Sequence, residues 1–310
     1  MHRKSVKSKS MKSFSIKELE VMCGIKAHTI RIWELRYAAF QPQRTNGNVR
    51  RYSIDELSKL SKLALLSNSG YKASHICKMT EDELQNIVLQ LKQDHERMQR
   101  AIGELIICMH KMDIAGFETQ LDDCFLSWPA ATVIDEVIFP FLSKVGLLCK
   151  GRQLSEEHLV VTAIRKKLLW SIERLEMTRP NAKSILLFLS NERQLDLLLL
   201  YLYYHLKKDG WEVIYLGVNI SLKNLEELLS LKQTDFLLTY PSQRHTICLD
   251  ELSTRMKKLA PETKLLVVDT SKLDAQPAYE NITTASIAET KQLLSVLGKL
   301  SRRPVAEGAP

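Results

Sequence analysis

The residues of this 310-residue chain best equipped for chemistry are cations and aromatics crowded near its N-terminus. Thr29 to Tyr37 reads TIRIWELRY and Arg50 to Tyr52 reads RRY, with Arg44 between them. A guanidinium presents a planar fork of donors that pairs with phosphate oxygens or with the edge of a guanine. The chemistry to expect is polyanion recognition rather than catalysis. Charge placement agrees. The first 75 residues carry 15 Lys and Arg against 5 Asp and Glu, whereas the other 235 carry 29 against 31. A solubility device would be spread over the surface, and a polyanion-binding module is concentrated like this.

Other chemistries find little support. No acid–base pair or nucleophile constellation stands out, so an enzyme is not expected. The six cysteines (23, 77, 108, 124, 149 and 248) lie far apart without a CxxC, which argues against a metal site or a disulfide framework and for a reducing, cytoplasmic setting. The apolar run LLLLYLYYHL at 197–206 is too short to span a bilayer, and the basic N-terminus has no apolar run of a signal peptide behind it.

Short elements must position the cations. Ser15 with Glu18 has the spacing of a capping box, and apolar residues at 16, 19 and 22 give a first helix. Gly24 breaks it, and a second helix is predicted over about 27–35, the shape of a helix-turn-helix. On that helix Ile30 and Trp33 face the core, leaving His28, Thr29 and Arg31 to reach bases and phosphates. Pro42 ends the helical pattern, and Asn46-Gly47 marks a hairpin flanked by Arg44, Asn48, Arg50, Arg51 and Tyr52. A hairpin tipped with cations is suited to lie along a DNA backbone as a wing. Lys17, Arg36 and Tyr37 complete the predicted DNA-binding set. Ser53 with Glu56 opens a further helix that supports the wing.

TIRIWELRY, Pro42, Arg44 and RRYS closely match the MerR-family signature T-I-R-x-W/Y-E-x-R-Y, P-x-R and R-x-Y. The resemblance covers roughly residues 13–82. It departs at Ala38-Ala39, where the family usually has Gly-Leu. It implies a winged helix-turn-helix that binds double-stranded promoter DNA as a homodimer at an inverted repeat. Such regulators distort the promoter and so act on RNA polymerase indirectly. A higher oligomer is a second option.

Thr80 with Glu83 makes a third capping box. Positions 84, 88, 91, 95, 98, 102, 105, 109 and 112 then alternate in steps of four and three, with only His95 polar, which predicts a long connecting helix with a coiled-coil seam. Residues 116–178 read as amphipathic helices, among them 131–148 and 155–176. Beyond them SILLFLS, WEVIYLG, DFLLTY and KLLVVD alternate with helices predicted over about 194–208, 222–231, 248–259 and 288–300. Strands alternating with helices predict a doubly wound parallel α/β domain. The expected organisation is a basic tail (1–12), a winged helix-turn-helix head (13–82), a connecting, dimerising helix (83–113), a helical bundle (114–180), a flavodoxin-like α/β domain (181–301) and a tail (302–310).

Head, bundle and NERQLDLLLLYLYYHLKKDGWEVIYLG together resemble the cobalamin-binding photoreceptor regulators of the CarH type. That resemblance implies a corrin pocket using Glu157, His158, Glu192 and Gln194. In that family the loop after the first strand carries Glu-x-His, whose imidazole ligates cobalt. Here the loop reads Glu192-Arg193-Gln194, and an amide is a poor cobalt ligand. The Trp expected ahead of Glu157-His158 and the glycine pair after the fourth strand are also replaced. The reading is a DNA-binding regulator with no cofactor of the usual His-on kind. A cobalamin-dependent, light-responsive regulator is the alternative, and a corrinoid carrier for methyl transfer stands behind both.

Overall fold

The computed structural model describes residues 12–146, 155–176, 182–189, 196–239, 249–269 and 282–286. The chain divides into two compact units, residues 1–160 and 161–310. No helix among the described residues is long and apolar enough to cross a membrane.

In the first unit every Ser/Thr-x-x-Glu signal becomes a helix start. Ser15 and Glu18 exchange backbone hydrogen bonds ahead of α1 (Ile16–Cys23), which ends on Gly24 in the left-handed region (φ 73°). After this turn α2 (Ala27–Tyr37) runs past the expected Leu35 and stops at Ala38, itself left-handed at φ 50°. An L-residue with a Cβ is strained there by about 1 kcal/mol. Ala38→Gly should raise the unfolding free energy by about 0.5–1 kcal/mol. A denaturant midpoint that stays put or falls would contradict this.

The hairpin β1 (Gln43–Arg44) and β2 (Arg50–Arg51) pairs antiparallel, Gln43 opposite Arg51 and Arg44 opposite Arg50. Its left-handed residue is Asn48 (φ 59°), one position after the Asn46-Gly47 pair that signals the turn. Asn48 N–H closes onto the Thr45 carbonyl (2.8 Å) and Thr45 N–H onto the Val49 carbonyl (3.0 Å). This is a turn followed by an αL residue, a known hairpin form. Capping boxes Ser53/Glu56 and Thr80/Glu83 then open α3 (Ile54–Asn68) and, after the single turn α4 (Ala73–Ile76), α5 (Glu81–Gln90).

The long connecting helix is not continuous. Leu91 takes extended dihedrals (φ −63°, ψ 122°) and α6 (Asp94–Lys111) starts afresh. Leu84, Val88, Met98, Ile102, Leu105 and Met109 are buried within this chain, while His95 is exposed. Helices α5 and α6 both pack on α3, and α6 also packs on α7 (Ile114–Ser127). Gly103 faces α3, where a Cβ would meet the Ser61 Cβ at an ordinary van der Waals distance of 3.6 Å. Most apolar positions of the spacing read as a coiled-coil seam thus serve an intramolecular core, while Leu91 is half-buried and Met112 is 46% exposed. The predicted helix 131–148 is likewise composite. After α8 (Ala130–Val133) comes a π turn, Ile134–Ile138, in which Phe139 N–H reaches back to the Ile134 carbonyl, and then α9 (Phe139–Lys144). Pro140 supplies no N–H to a regular α-helical ladder, and the wider turn lies just ahead of it.

Helix α10 (Ser155–Glu173) begins in the first unit and continues into the second, which holds a fully parallel sheet of β3 (Ser184–Phe188), β4 (Glu212–Gly217), β5 (Phe236–Thr239), β6 (Lys264–Asp269) and β7 (Ile282–Ser286). The order is β4-β3-β5-β6-β7, the flavodoxin-like arrangement. Strands β3 and β5 are buried throughout, as parallel strands between helices must be. Leu186, Phe188, Leu237, Leu265 and Val267 face α12 (Leu222–Leu231) and α13 (Leu249–Leu259) through Leu225, Leu229, Leu252 and Met256. On the opposite face Tyr215 stacks on Tyr203 of α11 (Asp196–Lys208), with ring centroids 5.5 Å apart. The strand β7, ITTAS, escapes the sequence reading because its polar side chains carry no apolar run. The predicted helix at 288–300 lies outside the described residues.

Candidate nucleic-acid interface

Helix α2 has two faces. Ile30 and Trp33 are buried, as expected, and they seat the helix on the head. His28, Arg31, Ile32, Leu35 and Arg36 are exposed, and Thr29 and Tyr37 are half-buried. No side chain caps the first turn, and the Thr29 N–H donates instead to the Lys26 carbonyl at 2.9 Å. Thr29 Oγ1 lies 3.3 Å from His28 Nε2.

The wing is tied to this helix by Glu34, a residue left out of the predicted contact set. Its carboxylate accepts from Arg50 Nε at 2.9 and 3.2 Å and from the Tyr52 hydroxyl at 3.1 Å. The Glu34 side chain is only 13% exposed and that of Arg50 27%. The hydrogen bond to Glu34 pushes the Arg50 guanidinium further up, and burial followed by the Glu34 charge pushes the Tyr52 hydroxyl up. Arg50 and Tyr52 therefore hold their bonding charge states, guanidinium and neutral phenol. The local signal was a Glu four residues after Ile30 on the same helical flank as the core, which is a poor place for a solvated charge.

The predicted contact set is corrected in one place. Tyr52 is fully buried, with its ring edge-on to Phe40 at 6.4 Å, and its backbone pairs with Phe14 through two hydrogen bonds of 2.8 and 2.9 Å. It shapes the wing from inside and does not face a ligand. Arg50 is half-buried and committed to Glu34. Arg51 is half-buried with Nη1 3.9 Å from Glu18 Oε2. Lys17, Arg44 and Asn48 are exposed, and Arg44 Nη1 donates to Asn48 Oδ1 at 2.5 Å across the hairpin tip. The link from helix to wing is braced again where Gln41 N–H donates to Glu56 Oε1 at 2.8 Å.

The residues implied as a corrin pocket are not brought together among the described residues. His158 is exposed on α10, and Glu192 and Gln194 lie outside the described residues, as does the side chain of Glu157. At the start of α11 sits a buried charge cluster invisible to sequence reasoning. Asp196, 6% exposed, opens that helix and accepts from Arg165 Nε at 2.7 Å and from the Tyr215 hydroxyl. It pins α10 to α11 and β4.

With this geometry in view, the comparisons with known proteins agree. Residues 14–83 match the MerR HTH family regulatory protein. The chain is similar to the HTH-type transcriptional repressor CarH of Myxococcus xanthus, 23% identical over 249 residues that cover 77% of this chain and 83% of that one. It is also similar to the repressor CarA of the same organism, 27% identical over 208 residues, 66% of this chain and 68% of that one. Among solved structures, the monomethylamine corrinoid protein of Methanosarcina barkeri aligns with 64% of this chain and 99% of its own at 17% identity and a TM-score of 0.49.

Proposed function

We propose that this MerR-family regulator, related over much of its length to the Myxococcus repressors, binds an inverted repeat in promoter DNA as a dimer. The observation that carries the reading is the pairing of an exposed cationic helix face with a cationic wing through the Glu34 carboxylate. Helix α2 enters the major groove and the wing follows the backbone. DNA of that shape calls for two symmetric heads. The protein acts by binding, and its effect on RNA polymerase comes through the promoter.

The sensor-like α/β domain works without His-on cobalamin. Exposed His158, and a Glu192-Arg193-Gln194 loop that offers carboxylate, guanidinium and amide, do not fit a site that needs an imidazole for cobalt. No step of the proposed function passes through a corrin. One preparation tests both halves. Incubated with adenosylcobalamin in the dark and freed of excess, the protein should be colourless and should retard its own promoter fragment. Its affinity should fall steeply with salt, at a log–log slope of about −0.9 per phosphate contacted. A retained corrin spectrum would favour the light-responsive alternative. A protein that retards no promoter DNA at low salt would sink the regulator reading.

A further inference from the structure

The outward stripe of α2 is not uniformly polar. His28, Arg31, Ile32 and Leu35 follow one another at the spacing that shares a helix face, with Leu35 77% and Ile32 41% exposed. The two apolar side chains share the helix with the exposed cations Arg31 and Arg36, and the wing that Glu34 ties to this helix carries the exposed Arg44. An apolar protein groove closing over them would also strip water from these guanidinium groups without pairing them, which is costly. The complementary surface is an anionic one with isolated apolar points. The floor of the DNA major groove is such a surface, and the apolar group on its base edges is the thymine 5-methyl.

We propose that Ile32 and Leu35 are specificity-determining residues that read thymine 5-methyl groups within each half-site. The inference rests on the DNA-binding reading above. Cations on the stripe anchor phosphates and polar base edges, and the two aliphatic side chains select thymine at the adjacent steps. Helix α2 has 11 residues, roughly 16 Å of axis, so Ile32 and Leu35 fall within one pass through the groove.

The test uses the full chain and duplexes carrying its footprinted operator, with each thymine replaced in turn by deoxyuridine, which lacks only the methyl. At one or two positions per half-site the swap should weaken wild-type binding about fourfold, the factor expected for one buried methyl carbon. Leu35→Ala or Ile32→Ala should bind the unmodified operator about fourfold or more weakly and be indifferent to the swap at its own position. Both side chains are exposed, so neither truncation removes core packing. If no swap alters wild-type binding, or if both variants feel every swap as the wild type does, the inference is overturned while the DNA-binding reading stands. If the wild type retains no operator, the inference falls together with that reading.

Discussion

Arg31→Ala should weaken operator binding by roughly 10- to 100-fold and leave the fold intact. Arg31 is exposed on α2, and among the described residues it forms no ion pair, so truncation leaves no buried charge behind. A bidentate guanidinium contact to a base edge contributes about 1–3 kcal/mol of discrimination, and a phosphate contact less but uniformly. Titrations against operator and unrelated DNA across salt concentrations separate the two roles. If Arg31 reads a base, the variant loses its preference for the operator and keeps its salt slope. If it holds a phosphate, affinity drops on both DNAs and the slope shrinks by about 1. Wild-type binding by a variant with an unchanged circular dichroism melt would show that α2 is not the reading helix.

Glu34→Ala should be the most damaging change at a charged residue of the clamp between α2 and the wing. It strands the Arg50 guanidinium and the buried Tyr52 hydroxyl, both of which donate to that carboxylate. Leaving a buried donor unsatisfied costs about 1–3 kcal/mol, and more for a charged one, so a loss of about 2–4 kcal/mol in unfolding free energy is expected. Arg50 is partly hydrated, which keeps the figure toward the lower end. Glu34→Gln retains an acceptor oxygen and should fall between wild type and Ala. Operator affinity should follow the same order even where the protein is fully folded, because the wing is no longer held beside α2. An Ala variant within about 0.5 kcal/mol of wild type, the usual scale of surface substitutions, would mean that the clamp contributes nothing.

Several features of this protein are written in stretches of four to eight residues, and these were legible. The three capping boxes, the Gly24 turn, the burial of Ile30 and Trp33, the hairpin around Asn46-Gly47 and the alternation of strand and helix after residue 184 all depend on near neighbours. Local hydrogen bonding and side-chain period decide them, and both can be read along a chain. Strand order in the α/β domain is nearly as accessible, since short right-handed crossovers leave a parallel sheet few arrangements. The unfavourable Ala38 conformation was hinted at by the missing glycine.

What only the tertiary structure decided is what each surface meets. An apolar face from Leu84 to Met109 has the same spacing whether it packs on a second copy or on its own chain, and only the structure shows these residues buried within the chain with the helix broken at Leu91. Glu34 looks like any charge on a helix until Arg50 and Tyr52 arrive from 16 and 18 residues away. Tyr52 reads as one more aromatic beside two arginines, yet its pairing with Phe14 buries it. Asp196 joins Arg165 and Tyr215 only because α10, α11 and β4 converge. In each case the sequence carries the capacity of a side chain, and the partner comes from a distant segment, so burial and pairing energies settle its role only once the chain has folded.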